Sequence, residues 1–259
     1  MTHPKLRLHP NIVQLFWYDL VEESDGKYTP ALIMEKAVFG SLSDILDGHR
    51  SSMSSQSQQS LCLDVCSGLL ALHKAFVAHG DVKSDNVLIF PSSTGSGEYT
   101  AKLADFGSII SLVKPAQGEY PRYHGTPITN APEVSEQARR LDAAGLVLCD
   151  NYSLGLLLFQ ITTGDLNESI TAKTPSVLDT ALEMISQANH PNEFENALIR
   201  VLMHLLAYEL FRRCHDLSVI QNLLRPIQGE DLTFEGYYSF SQSQIDLQLL
   251  MRIQSSNPI

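Results

Sequence analysis

Asp81, Lys83 and Asn86 lie within six residues of one another in the stretch HGDVKSDNVLIF (79–90), and Asp105 follows at the end of AKLA. A carboxylate can orient an attacking hydroxyl, an ammonium group can neutralise a moving phosphoryl, and oxygen-bearing side chains can hold magnesium on nucleotide phosphates. One rigid loop could present Asp81, Lys83 and Asn86 together. Asp105 joins them if NVLIF and AKLA pair as a hairpin, because pairing brings Asn86 and Asp105 to the same end. The chemistry this set allows is phosphoryl transfer. Taken singly, each residue has a plainer explanation: Asp81 a turn residue, Asn86 a turn or cap, Asp105 a strand terminator before Gly107, Lys83 a solvated charge. Only the ordered set makes a site.

Several elements must position these residues. Leu61, Val65, Leu69, Leu72 and Phe76 recur every three or four positions, which predicts an amphipathic helix over about 57–78 that delivers the chain to the loop. Further upstream, NIVQLFWYDL (11–20) and TPALIMEK (29–36) are rich in β-formers and flank the turn signal Asp25-Gly26, predicting two antiparallel strands. SLSDILDGHR starts a short helix at Ser41 or Ser43, and the polar tract SSMSSQSQQS is a loop or a helix start. From about residue 150 the chain is helical by period, in DNYSLGLLLFQITTG, SVLDTALEMIS, ENALIRVLMHLLAYEL and LSVIQNLL. Strands and helices are segregated, which argues for an α+β fold.

Composition narrows the classes of function. With 259 residues, 44% apolar and 18% charged, the chain is that of an ordinary globular protein able to bury a core. A net charge of −11 offers no basic field for a phosphate backbone, so nucleic acid is not expected as a partner. No apolar run approaches the roughly 18 residues of a membrane span, and MTHPKLRLHP lacks a secretory pattern, so no membrane is expected either. Cys62, Cys66, Cys149 and Cys214 form no CxxC pair and no zinc spacing, which suits buried thiols in a reducing compartment. The expected location is cytoplasmic or nuclear.

HxDxKxxN at 79–86, DFG at 105–107, then Gly125-Thr126 and Ala131-Pro132-Glu133 resemble the catalytic core of the eukaryotic protein kinase family, serine/threonine type. The resemblance covers about residues 11–225 and implies a protein-kinase-like fold, with a mainly helical large lobe and a two-strand remnant of the small lobe. It divides the chain into a small-lobe remnant and hinge (1–40), a large lobe (41–225) and a C-terminal tail (226–259). By the same resemblance Asp81 is the catalytic aspartate, Lys83 the lysine at the transferred phosphoryl, and Asn86 and Asp105 the magnesium ligands, with Phe106 packing beneath. His79, Gly107 and Thr126 complete these motifs, and Thr126 with Lys83 gives the serine/threonine pattern. Met34 resembles the gatekeeper, the backbone of Glu35 and Ala37 the hinge facing adenine, and Leu88 the pocket floor. Glu133 is expected to pair with Arg213, and Asp150 in DNYSLG to open the central helix that anchors the loop. The cofactors implied are ATP and Mg, and the partner is a protein substrate.

Two departures from the family pattern matter. Gly80 stands where most members carry an arginine that receives an activation-segment phosphate, so activity is expected to be independent of phosphorylation at Ser108, Ser111, Tyr120 or Tyr123. Ahead of Pro10, MTHPKLRL holds no GxGxxG, no lysine strand and no glutamate, so the nucleotide clamp is expected to be missing from this chain. Three readings follow: a truncated serine/threonine kinase, a pseudokinase or interaction module, and an enzyme of reduced efficiency that aligns ATP through magnesium alone. The exposed hairpin calls for a protein partner that covers it, or marks a fragment. The tail over 226–259 has apolar spacing suited to a short docking helix.

Overall fold

A computed structural model of the chain describes residues 4–49, 53–92, 98–116, 118–135, 140–164, 166–186 and 192–226. Contacts cluster Met1–Arg225 into one unit, to which all the elements below belong. The docking helix expected in the tail falls outside the described residues.

Helix α1 (Pro4–Arg7) precedes strands β1 (Leu15–Glu22) and β2 (Tyr28–Met34). β-Branched and aromatic residues make up about half of both strands. Their turn closes because Gly26 adopts a φ of 79° and Asp25 accepts from the Lys27 N–H. Tyr18 sits opposite Leu32 and Val21 opposite Thr29 in the antiparallel register. Both faces of this hairpin are open, with Trp17, Tyr18, Leu20 and Leu32 each exposed.

Helix α2 (Leu42–His49) starts at Ser41 rather than Ser43. Asp44 N–H donates to Ser41 Oγ at 3.2 Å while Ser41 N–H donates to Asp44 Oδ2 at 2.8 Å, a reciprocal cap. Helix α3 (Ser55–Lys74) is capped by Ser54, whose Oγ accepts from Ser57 N–H at 3.1 Å, so the polar tract supplies its first turns. Leu61, Val65, Leu69 and Leu72 are buried on it as expected. Phe76 is not: the helix stops at Lys74, and Phe76, at a φ of 59°, is 64% exposed. Val77–Ala78 then form strand β3 instead of a last helical turn.

Strands β4 (Val87–Pro91) and β5 (Tyr99–Leu103) pair antiparallel, with Val87 opposite Leu103. Beyond that pair Ala104 N–H donates to Asn86 O at 2.9 Å. The segment 11–13 lies along β5, since Val13 N–H donates to Leu103 O and Leu103 N–H to Asn11 O. That contact fastens the start of β1 to the hairpin beneath the site. Strand β6 (Ile110–Ser111) pairs with β3.

The rest is helical: α4 (Pro132–Ser135), α5 (Ala143–Thr163), α6 (Glu168–Thr171), α7 (Val177–Ser186), α8 (Glu193–Leu205) and α9 (Leu217–Leu224). Asp142 caps α5 by accepting from Gly145 N–H at 2.8 Å, so Asp150 stands about two turns inside this helix and does not open it. By length and apolarity α5 could cross a membrane, yet 83% of that stretch is buried in the core. Its apolar surface is used in packing against α3 and α8, while α9 closes over α3 and α8. The architecture is α+β, a mainly helical lobe carrying one open two-stranded hairpin.

Candidate active site

The 79–86 loop is held from below by one buried carboxylate. Asp150 Oδ2 accepts from His79 N–H at 2.7 Å and from His73 Nε2 at 2.9 Å; its Oδ1 accepts from Gly80 N–H at 3.0 Å and from the Tyr123 hydroxyl at 2.9 Å. Burial pushes the Asp150 carboxyl up, but His73 and the other donors outweigh it and hold the group below the usual carboxylate range. The loop backbone is thereby pinned to the middle of α5.

His79 is fully buried and serves the backbone. Its Nε2–H donates to Ala104 O at 3.0 Å and its Nδ1 accepts from Asp81 N–H at 3.3 Å, a pattern that requires the neutral ring. Burial lowers its pKa in agreement. The ring also lies 5.7 Å from that of Phe106, so the first half of the loop and the DFG turn share a support.

Above this floor the polar side chains converge. Asp81 Oδ2 pairs with Lys83 Nζ at 2.8 Å and accepts from Asn86 Nδ2 at 3.1 Å, while Oδ1 accepts from Thr126 Oγ1 at 2.7 Å. Lys83 Nζ also donates to Thr126 Oγ1 at 2.7 Å. Burial raises the Asp81 pKa, and the Lys83 and Thr126 bonds more than reverse it, so the carboxyl stays ionised. Residues from a loop and from a segment some forty positions later meet at one carboxylate.

Asn86 is buried, and its Nδ2 also donates to Asp81 O at 2.8 Å, which leaves Oδ1 as the atom it could offer a cation. Asp105 is exposed at a φ of 52°; its Oδ1 accepts from Gly107 N–H at 3.2 Å, and Oδ2 is left for a metal. Among the described residues no group of three or more His, Cys, Asp or Glu side chains could hold a metal alone. The set fits magnesium, which takes one or two protein oxygens and completes its shell with phosphate and water.

At the hinge, Met34 ends β2 and is 41% exposed. Glu35 N–H donates to Gln14 O at 3.0 Å, so of the Glu35 backbone it is the carbonyl that could serve a ligand. Ala37 and Leu88 pack on a small apolar cluster of Val13, Phe90 and Ala104, a surface suited to a flat ring. The Glu35 side chain meanwhile accepts from Gln14 N–H at 2.8 Å and pairs with Lys102 Nζ at 2.7 Å, joining the hinge to β5.

Farther out, Arg213 pairs with Glu133 in bidentate fashion, at 2.5 Å and 2.9 Å. Its guanidinium also donates to the carbonyls of Ala207 and Tyr208 and lies 4.7 Å from the Tyr152 ring centroid. Sequence reasoning missed His73, Tyr123 and Lys102 as parts of this framework. His73 was readable as a polar residue one turn past Leu69 on the buried side of α3; Tyr123 and Lys102 carry no local signal. Of the hydroxyl residues in this segment, Tyr123 is buried, whereas Ser108 and Ser111 are exposed.

The protein kinase domain family model matches residues 2–224. Similar proteins include the serine/threonine-protein kinase ATG1b of Arabidopsis thaliana, 28% identical across 96% of this chain and 32% of that protein. Another is the dual specificity protein kinase zakA of Dictyostelium discoideum, 27% identical across 80% of this chain and 26% of that protein. The serine/threonine-protein kinase Tao of Drosophila melanogaster is 35% identical across 59% of this chain and 13% of that protein. The chain spans about a third or less of the length of these relatives.

Proposed function

This chain belongs to the protein kinase family, whose domain covers residues 2–224, and from that premise we propose that it encodes transfer of the γ-phosphoryl of ATP to a serine or threonine hydroxyl of a protein substrate. The observation that carries the reading is the Asp81 carboxylate, kept ionised and already accepting a hydroxyl hydrogen bond from Thr126 at 2.7 Å. A substrate hydroxyl takes up the same kind of bond, and Asp81 orients it and receives its proton. Lys83, fixed between Asp81 and Thr126, faces the charge that moves in the transfer. Asn86 and Asp105 would hold magnesium, which neutralises phosphate charge when bound. The Glu35 carbonyl, Ala37 and Leu88 would receive adenine. The names of the Arabidopsis and Drosophila relatives support serine or threonine as the acceptor, as does Thr126 beside Lys83.

A second reading, a protein-interaction module without catalysis, is favoured by the open hairpin, whose Trp17 and Tyr18 are 63% and 73% exposed. Calorimetry with ATP and magnesium on the purified chain, beside Asp105→Ala, separates the two. Magnesium-dependent binding that disappears in the variant supports the kinase reading. A folded chain that binds no nucleotide would overturn it and leave the interaction module.

A further inference from the structure

We propose that Tyr123 is a positioning residue that latches the 105–133 segment onto the catalytic loop without any phosphate. The proposal takes its functional meaning from the kinase reading, but its geometry stands independently. Tyr123 is buried, and its hydroxyl donates to the same Asp150 oxygen that accepts from Gly80 N–H. A single carboxylate therefore holds both the loop and the segment that must lie against it. Three residues further on, Thr126 bonds Asp81 and Lys83, so the latch sits next to the reacting side chains.

The beginning of the segment is likewise fastened without a phosphate. Gly80 has a φ of 81°, and a Cβ there would fall 2.1 Å from Ser108 O. Any side chain at position 80 would drive the Ser108 backbone outward, an arginine included. Instead Ser108 closes directly on the loop, and β6 pairs with β3 immediately after it. Segment and loop are thus joined by backbone contact at 80 and 108, by Tyr123 at Asp150, and by Thr126 at Asp81. None of these joints uses a phosphate or an arginine. A phosphoryl group on Tyr123 would set a second anion against the buried Asp150 carboxylate, so the latch requires the unmodified tyrosine.

Amide hydrogen exchange on the full chain, shown by mass spectrometry to be unphosphorylated, tests the latch with Tyr123→Phe. Phe keeps the ring and removes only the hydroxyl. Exchange over 120–130 is expected to quicken about tenfold while 146–158 in α5 is unchanged, the loss of one bond to a charged acceptor. Equal exchange over 120–130 in both proteins would overturn the proposal. If the variant does not fold, acetylation of the wild-type chain by N-acetylimidazole decides: Tyr18 and Tyr28 should react and Tyr123 resist, and equal reaction would overturn the latch. Phosphotransfer to myelin basic protein reads the positioning role, with kcat expected to fall about tenfold in Tyr123→Phe and the KM for ATP to hold. An unchanged kcat would refute that role. A wild-type chain that transfers nothing refutes the kinase reading instead, and the exchange and acetylation results still decide the latch.

Discussion

Arg213 and Glu133 illustrate how a charged pair survives out of water. The Arg213 side chain has no exposure, yet its donors reach a carboxylate and three carbonyls, so little of its hydrogen-bonding capacity is wasted. Removing one partner is therefore worse than removing both. Glu133→Ala should destabilise the chain by about 3 kcal/mol in urea unfolding, whereas the double change Glu133→Leu with Arg213→Leu should cost clearly less. A single variant as stable as the wild type would show that water reaches the pair. The same logic applies at Asp150, where four donors meet one buried carboxylate.

At the scale of elements, two places are built against local preference. Phe76 ends α3 in the left-handed region, where a side chain costs about 1 kcal/mol and glycine costs none, and it gains little in return because it is largely exposed. Phe76→Gly should raise the thermal midpoint; a lower one would mean that the ring contributes packing worth more than the backbone strain. The β1–β2 hairpin is the second place. It meets the helical lobe through the segment 11–13 and the Glu35–Lys102 pair, and most of its apolar side chains face outward. Its amides should exchange faster than those of β4 and β5, and protection equal to theirs would point to an unrecognised cover.

For the molecule as a whole, stability depends on pH through groups that act in opposite senses. Asp150 and Asp81 have lowered pKa values, so what they contribute is present above about pH 4 and is lost as the pH falls through those lowered values. Asp64, on α3, is different: burial pushes its carboxyl up to about 6, despite the bond from Ala101 N–H at 2.9 Å. Its contribution is full below about pH 4 and is lost as the pH rises through 6. Asp64→Asn keeps an acceptor for Ala101 and removes the buried charge. The variant should be more stable than the wild type at pH 8 by on the order of 2 kcal/mol, with little difference at pH 4. An equal gain at both pH values in denaturant titrations would show that charge is not the cause.

The order of the main strands and helices was legible in the sequence, because β-forming residue types mark the strands and an apolar period of three to four residues records what a helix must bury. The meeting of Asn86 with Asp105 was legible for a related reason: a short hairpin leaves its two ends together whatever surrounds it. The end of α3 was not, since the apolar stripe continues to Phe76 while the backbone turns left-handed there. Nor was the start of α5, where the cap at Asp142 places Asp150 inside the helix. Least legible were the polar joints between distant segments, Tyr123 to Asp150 across 27 positions and Lys102 to Glu35 across 67. Sequence alone determined the elements and the chemical types at the site, which follow from local geometry and residue identity. Tertiary structure alone decided which buried donor meets which acceptor, because that depends on segments brought together only when the whole core closes.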